Sequence, residues 1–218
     1  MLFVKQRVEE DDVRGRILSA AVEATLEGGL ADLSMRDVAR RAKVSHQLPY
    51  HYFTDREGIL AAIAEDGFSR LAARLRSALD RAKSASAPER FAIAGRTYVM
   101  FAVENPAHFR VMFRTDFVDV ERFESAKTCA DGAFSLLPML VQELILEGLP
   151  PEPNPLVHVV LGWSVAHGLA CLLLDGPIRR KLPEAASARD AVVKDVMEVM
   201  RTLIEARITT AAKKKPKK

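Results

Sequence analysis

Apolar residues recur at helical spacing along nearly the whole chain, and no stretch alternates with the period of a strand. Ile17, Ala20, Ala21 and Ala24 predict a first helix over about 13–27, stopped by Gly28-Gly29. Val38, Ala39 and Ala42 predict a second, opened by a capping box of Ser34 with Asp37. Lys43-Val44 reads as a tight turn and Ser45 as the N-cap of a third short helix. Pro49 falls in the first turn of that helix, and Phe53 lies four residues on, along the same face. Thr54 with Glu57 reads as another capping box, opening a long helix to about Lys83.

Ser84-Ala-Ser-Ala-Pro88 breaks the pattern and is taken as a domain boundary. A helix over 88–104 follows, then Asn105-Pro106 and a short helix through Phe113. An acidic stretch at 115–124 leads into a single helix ending near Gly148, followed by the proline-rich loop 149–155. An apolar helix over 156–174 stops at Asp175-Gly176-Pro177. The last helix begins at Ser187 and carries Val193, Val196, Met197, Met200, Leu203 and Ile204 as a stripe. The expectation is an all-α protein. Residues 1–12 form a flexible arm, 13–58 a three-helix domain and 59–83 a connecting helix. Residues 84–208 form a second helical domain, and 209–218 a disordered basic tail.

Charge alters this picture less than its total suggests. The net charge is +3, yet Lys213, Lys214, Lys215, Lys217 and Lys218 crowd the last six positions. Without those five, 27 basic residues face 29 acidic ones. The informative balance is local: over 34–56, Arg36, Arg40, Arg41, Lys43 and Arg56 stand against Asp37 and Asp55. Cys129 and Cys171 are too few and too far apart for a disulfide framework. The start turns acidic at once and has no apolar h-region. Residues 157–174 are apolar enough to be weighed as a membrane span, but His158 and His167 and the marginal length favour a buried or interface helix. A soluble, cytoplasmic protein with no membrane, metal or cofactor is expected.

With Pro49 and Phe53 facing inward, His46, Gln47, Tyr50 and His51 are left outward. A short helix with hydrogen-bonding side chains on its free face suits the major groove of double-stranded DNA. Gln47 can pair with adenine, Arg36 with guanine, Leu48 can meet a thymine methyl, and the Tyr50 hydroxyl can reach a phosphate. The plainer alternative is a set of solvent-exposed residues on a small helical domain.

Val38-Ala39, Ala42, Val44-Ser45, Pro49-Tyr50 and Phe53 resemble the helix-turn-helix of TetR-type transcriptional regulators. Lys43 replaces the family's turn glycine, and Gln47, Leu48 and Tyr52 replace its usual residues. The resemblance implies DNA contacts from Ser34, Arg36, Ser45, His46, Gln47, Leu48, Tyr50, His51 and Tyr52. It places Arg56 where the family carries a phosphate-binding lysine. Trp163 with His167-Gly168 and Asp175-Gly176, together with Pro106-Ala-His-Phe-Arg-Val-Met-Phe113, resembles the effector domain of a Trp/His-Gly subgroup of that family. This implies an apolar small-molecule effector, a homodimer and a repressor. Tyr98, Phe101, Phe109, Met112, Phe113, Phe134, Trp163 and His167 are the candidate ligand-binding residues; plain core packing is the alternative for each. Helices 156–174 and 187–207 are the expected dimer contacts, with Gly162, Ala166 and Ala170 as a small-residue ridge for close approach. An all-helical enzyme using His167 with Cys171 or Asp175, and a DNA-binding dimer without effector, are the competing readings.

Overall fold

A computed structural model describes residues 2–154, 156–176, 178, 181 and 186–214. Its elements are α1 (Leu2–Gly28), α2 (Met35–Ala42), α3 (Leu48–Phe53), α4 (Arg56–Arg81), α5 (Ala87–Glu104), α6 (Pro106–Met112), α7 (Glu124–Phe134), α8 (Leu136–Leu146), α9 (Leu156–Leu174) and α10 (Ala186–Lys214). A short 3₁₀ turn covers Val120–Arg122. The protein is all-α, and no strand occurs among the described residues.

The chain divides into two compact units. One comprises Met1–Ser69 and Asn105–Asp131, the other Arg70–Glu104 and Gly132–Lys218. The division therefore falls inside α4 and α7, not at residues 84–88 as the break in the sequence suggested. The segment 105–131 joins the first unit because α6 packs on α1 and its flanks are tied to α4. His108 Nε2 lies 3.0 Å from Asp66 Oδ2, Phe113 meets Phe68 edge-on at 5.7 Å, and Arg122 pairs with Glu57 at 2.9 Å. Ser125 Oγ also donates to Glu65 at 2.8 Å.

In the first unit α1 packs on α2, α3 and α6, burying Ile17, Ala20, Ala21 and Ala24 as their spacing predicts. The helix extends back to Leu2, so residues 2–12 are not the arm expected. That stretch holds neither glycine nor proline, and nothing in it breaks a helix. α2 buries Met35, Val38, Ala39 and Ala42. Lys43 takes φ 56°, ψ 46°, and the Val44 amide bonds back to the Ala39 carbonyl at 3.0 Å. A left-handed lysine costs roughly 1 kcal/mol relative to the family's glycine.

Three local caps differ from expectation. Ser34 precedes α2, but its side chain makes no capping bond; Asp37 is drawn instead to Arg40 and Arg41. Gln47, not Ser45, stands before α3, because Ser45 accepts the Leu48 amide through its backbone carbonyl in a preceding turn. Asp55, not Thr54, caps α4, its Oδ1 accepting the Gly58 amide at 2.8 Å. Glu57 is already engaged by Arg122 and cannot complete a box.

In the second unit α5 is the central helix, contacting α8, α9 and α10. Arg90 ties three elements, pairing with Glu143 at 2.7 Å and donating to the carbonyls of Leu79 and Ala82 at the end of α4. The single helix expected up to Gly148 is broken at Ser135. Pro138 has no amide to offer the Phe134 carbonyl, and its ring crowds that carbonyl. The expected disordered tail from Thr209 is helical through Lys214, since no glycine or proline intervenes and Thr210 bonds back to Ala206 at 2.8 Å. Residues 215–218 lie outside those described.

The ridge Gly162, Ala166, Ala170 is buried within the unit. A Cβ on Gly162 would sit 2.4 Å from Phe91 Cζ, so this glycine admits an aromatic ring of α5 and not a second copy of the chain. The solvent face of α9 is a different stripe: Val157, Leu161, Ser164, Gly168 and Leu172. α9 is long and apolar enough to cross a membrane, but apolarity on all sides is also what a helix with one face in a core and one on offer requires.

Candidate functional site

α3 is a six-residue helix pinned by two side chains. Pro49 and Phe53 are buried, while His46, Gln47, Tyr50 and His51 are exposed and Leu48 and Tyr52 half-buried. Ser34, Arg36 and Ser45 are also exposed, so the predicted reading residues come together on and beside one short helix. His51 packs edge-on to Tyr52 at 5.3 Å. A reversal ends the helix: Thr54 has φ 64°, ψ −57°, and the Asp55 amide bonds to the Phe53 carbonyl at 2.6 Å. This three-residue turn is of the rare, strained hand. It fixes the direction in which α4 leaves, and with it the tilt of the reading face.

The positive charge of this unit is partly cancelled in place. Asp37 takes Arg41 at 2.6 Å and Arg40 at 2.5 Å, and Glu27 takes Arg41 at 2.8 Å. The hydrogen bond from Arg41, then that from Arg40, holds the Asp37 carboxyl below the usual carboxylate range. Arg56 is committed in another way. Its Nη2 donates to the carbonyls of Leu30 and Ala31, and its guanidinium lies 5.6 Å from the Phe117 ring centre. A phosphate would have to compete with the two carbonyls for Nη2. Arg56→Ala is therefore expected to cost about 1–2 kcal/mol of stability in thermal melts, while leaving the salt dependence of DNA binding unchanged.

The predicted ligand residues are divided. Phe109 and Met112 are core residues of the first unit, and Phe113 is held there by Phe68 and Phe109. Phe101 is core in the second unit. Tyr98, Phe134, Trp163 and His167 do cluster. Trp163 Nε1 donates to the Tyr98 hydroxyl at 3.3 Å, which lies 2.8 Å from His167 Nδ1. Phe134 meets Trp163 edge-on at 5.9 Å. Burial raises the Tyr98 phenol well above its ordinary value and lowers His167 below 6.5. The phenol oxygen accepts from the indole, and the hydroxyl shares a second hydrogen bond with His167 Nδ1.

Burial, and then Asp175, pushes the Cys171 thiol up, which opposes a nucleophilic role. Among the described residues no group of three or more His, Cys, Asp or Glu is placed to hold a metal. His158 is buried and pairs with the Pro150 carbonyl at 3.0 Å.

Sequence reading missed Asp55 as the cap that orients α4. The signal was present, since aspartate caps better than threonine, but Thr54 also completed a box.

A helix-turn-helix with an exposed polar face, joined to a separate all-helical unit, defines a DNA-binding regulator. Residues 17–63 match the family described as bacterial regulatory proteins, tetR family, and residues 91–207 match the tetracyclin repressor-like C-terminal domain. The chain belongs to the TetR family of DNA-binding transcriptional regulators. The HTH-type transcriptional regulator BetI of Escherichia coli K12 is 35% identical over 86 residues, 39% of this chain and 44% of BetI. The match thus spans less than half the length of that relative. A protein of unknown function from Rhodococcus sp. RHA1 superposes with a TM-score of 0.70 at 27% identity, over 87% of this chain and 94% of that one. FadR from Bacillus subtilis, solved with stearoyl-CoA, gives a TM-score of 0.68 at 17% identity, over 86% and 97%. That last likeness is one of fold.

Proposed function

We propose that the chain is a cytoplasmic homodimeric repressor that leaves a palindromic operator when a small apolar molecule binds its second unit. The observation that carries the DNA-reading part is α3, anchored by Pro49 and Phe53 with Gln47, Tyr50 and His51 free to meet base edges and phosphates. Gln47 and His51 read bases, Leu48 and Tyr52 shape the apolar contact, and Ser34, Ser45, His46 and Tyr50 hold the backbone, with Arg36 at either.

Dimerisation is supported by exposed apolar residues on α9 and on α10. Val160, Leu161 and Leu172 on α9 and Val199 and Leu203 on α10 are all at least 40% exposed. Gly168, with open space where a Cβ would be, gives a helix of the second copy room to cross. Two such faces related by a two-fold axis form a four-helix bundle, and a two-fold dimer presents two reading helices to two half-sites.

For the effector, Tyr98, Phe134, Trp163 and His167 offer an aromatic wall with a hydrogen-bonding end. They suit an apolar molecule carrying one polar group. Such a ligand releases DNA only in so far as it binds the non-reading arrangement more tightly than the reading one.

Gln47 tests the reading role. Gln47→Ala is expected to relax base preference at one position of each half-site, reducing discrimination there by about 1–3 kcal/mol and leaving the other positions unchanged. Sequencing of duplexes selected by the two proteins measures this. An identical preference would remove Gln47 from the reading face.

A further inference from the structure

With Arg56 bonded to the Leu30 and Ala31 carbonyls, other charges must hold the DNA backbone. Most cations of the first unit are already partnered. Arg16 lies near Asp12, Arg40 and Arg41 near Asp37, Arg114 near Asp116, Arg122 near Glu57 and Lys127 near Glu121. An arginine bound to a carboxylate must surrender that bond before it can take a phosphate, so these contribute little to backbone affinity. Arg110 has contacts of its own. Among the residues of the unit whose side chains are described, 12–69 and 105–131, Arg14, Arg36 and Lys43 are the exposed cations with no carboxylate partner.

Arg36 and Lys43 precede α3, in α2 and in the turn. Arg14 belongs to α1, yet it meets the other end of the reading helix: its guanidinium carbon lies 5.2 Å from the centre of the Phe53 ring. Phe53 is the last residue of α3, and its ring is followed by Tyr52 at 6.4 Å and His51 at 5.3 Å from Tyr52. Stacking engages the face of a guanidinium and leaves the N–H donors on its edge unused. Arg14 is thus held against the Phe53 ring, and it makes no hydrogen bond to a described side chain. That is the state a backbone contact needs, because the ordering of a long side chain has largely been met before DNA arrives.

We infer that Arg14 is a phosphate contact at the C-terminal end of α3, and that with Arg36 and Lys43 it clamps the DNA backbone on both sides of the reading helix. The inference rests on the DNA-reading function proposed above. Each phosphate neutralised adds about 0.9 to the slope of log affinity against log salt.

The test uses the full chain and a duplex that it selects from a random pool, with anisotropy titrations from 50 to 300 mM KCl. Arg14→Gln and Arg14→Met, the latter keeping an apolar cover over Phe53, should each lower the slope by about 0.9 per protomer. They should weaken binding to all sequences alike. Arg14→Lys should keep the slope. A wild-type slope in either folded neutral variant would overturn the inference while leaving the reading helix in place. Failure of the unmodified chain to bind any duplex in a salt-dependent way would overturn the DNA-reading function itself, and is seen before any variant is made.

Discussion

Gly58→Ala is expected to abolish specific DNA binding, although the residue faces no base. An added Cβ at this position would lie 2.0 Å from the Phe53 carbonyl oxygen and 3.1 Å from its carbon. No rotamer change relieves that clash, because the obstacle is backbone. The peptide that must move is the one that closes the strained turn at Thr54, where φ is 64° and the Asp55 amide meets the same carbonyl. Moving it re-aims α3 against α4 and carries Tyr50, His51 and Tyr52 out of register with the groove. The expected cost is roughly 2–3 kcal/mol, a fall in Tm on the order of 10 °C for a unit of this size. Binding to a selected duplex should drop by more than about 100-fold, since every base the helix ceases to read costs about 1–3 kcal/mol. Circular dichroism melts and anisotropy titrations together check this. Wild-type affinity in the alanine variant would show that the turn does not set the reading geometry.

Leu161→Glu carries the second large effect. Leu161 is 51% exposed at the middle of the outer stripe of α9, so a glutamate there costs the isolated chain little. In a two-fold dimer the same change places a charge near its own copy within an apolar seam. Light scattering at about 10 μM is expected to give a dimer for the unmodified chain and a monomer for Leu161→Glu. Loss of the linked second half-site should weaken binding to a palindrome by about 10²-fold or more, with binding to a single half-site unchanged. A variant that stays dimeric with full affinity would move the interface elsewhere on the molecule.

Residues that face inward on short, well-marked helices were legible in the sequence. Val38, Ala39, Ala42, Pro49 and Phe53 are buried where their spacing placed them, because an amphipathic helix has only one way to satisfy such a pattern. α9 was not legible in this way. It is apolar on every side, so periodicity could not say which face meets the unit's own core. Gly162 belongs to Phe91, and the outer stripe belongs to Leu161 and Gly168.

The division of the chain was hidden for a related reason. Ser84 to Pro88 marks a break in the helix, but breaks and unit boundaries are set by different things. Contacts remote in sequence, such as His108 with Asp66 and Arg122 with Glu57, draw residues 105–131 into the first unit. Arg56 shows the limit for charge. Its sequence position matches a phosphate-binding cation, whereas its bonds go to the Leu30 and Ala31 carbonyls. Arg14, some forty residues away, takes the position at the end of α3 through a ring contact that no local pattern announces.

In the proposed dimer α3 presents a sequence-reading face, twice, to double-stranded DNA. The most direct measurement is selection of duplexes from a random-sequence library by the full-length protein at about 150 mM salt, followed by sequencing. The expected result is enrichment of an inverted repeat whose half-sites are separated by about one helical turn or a whole multiple of it. Recovery of sequences no different from the starting library would contradict it.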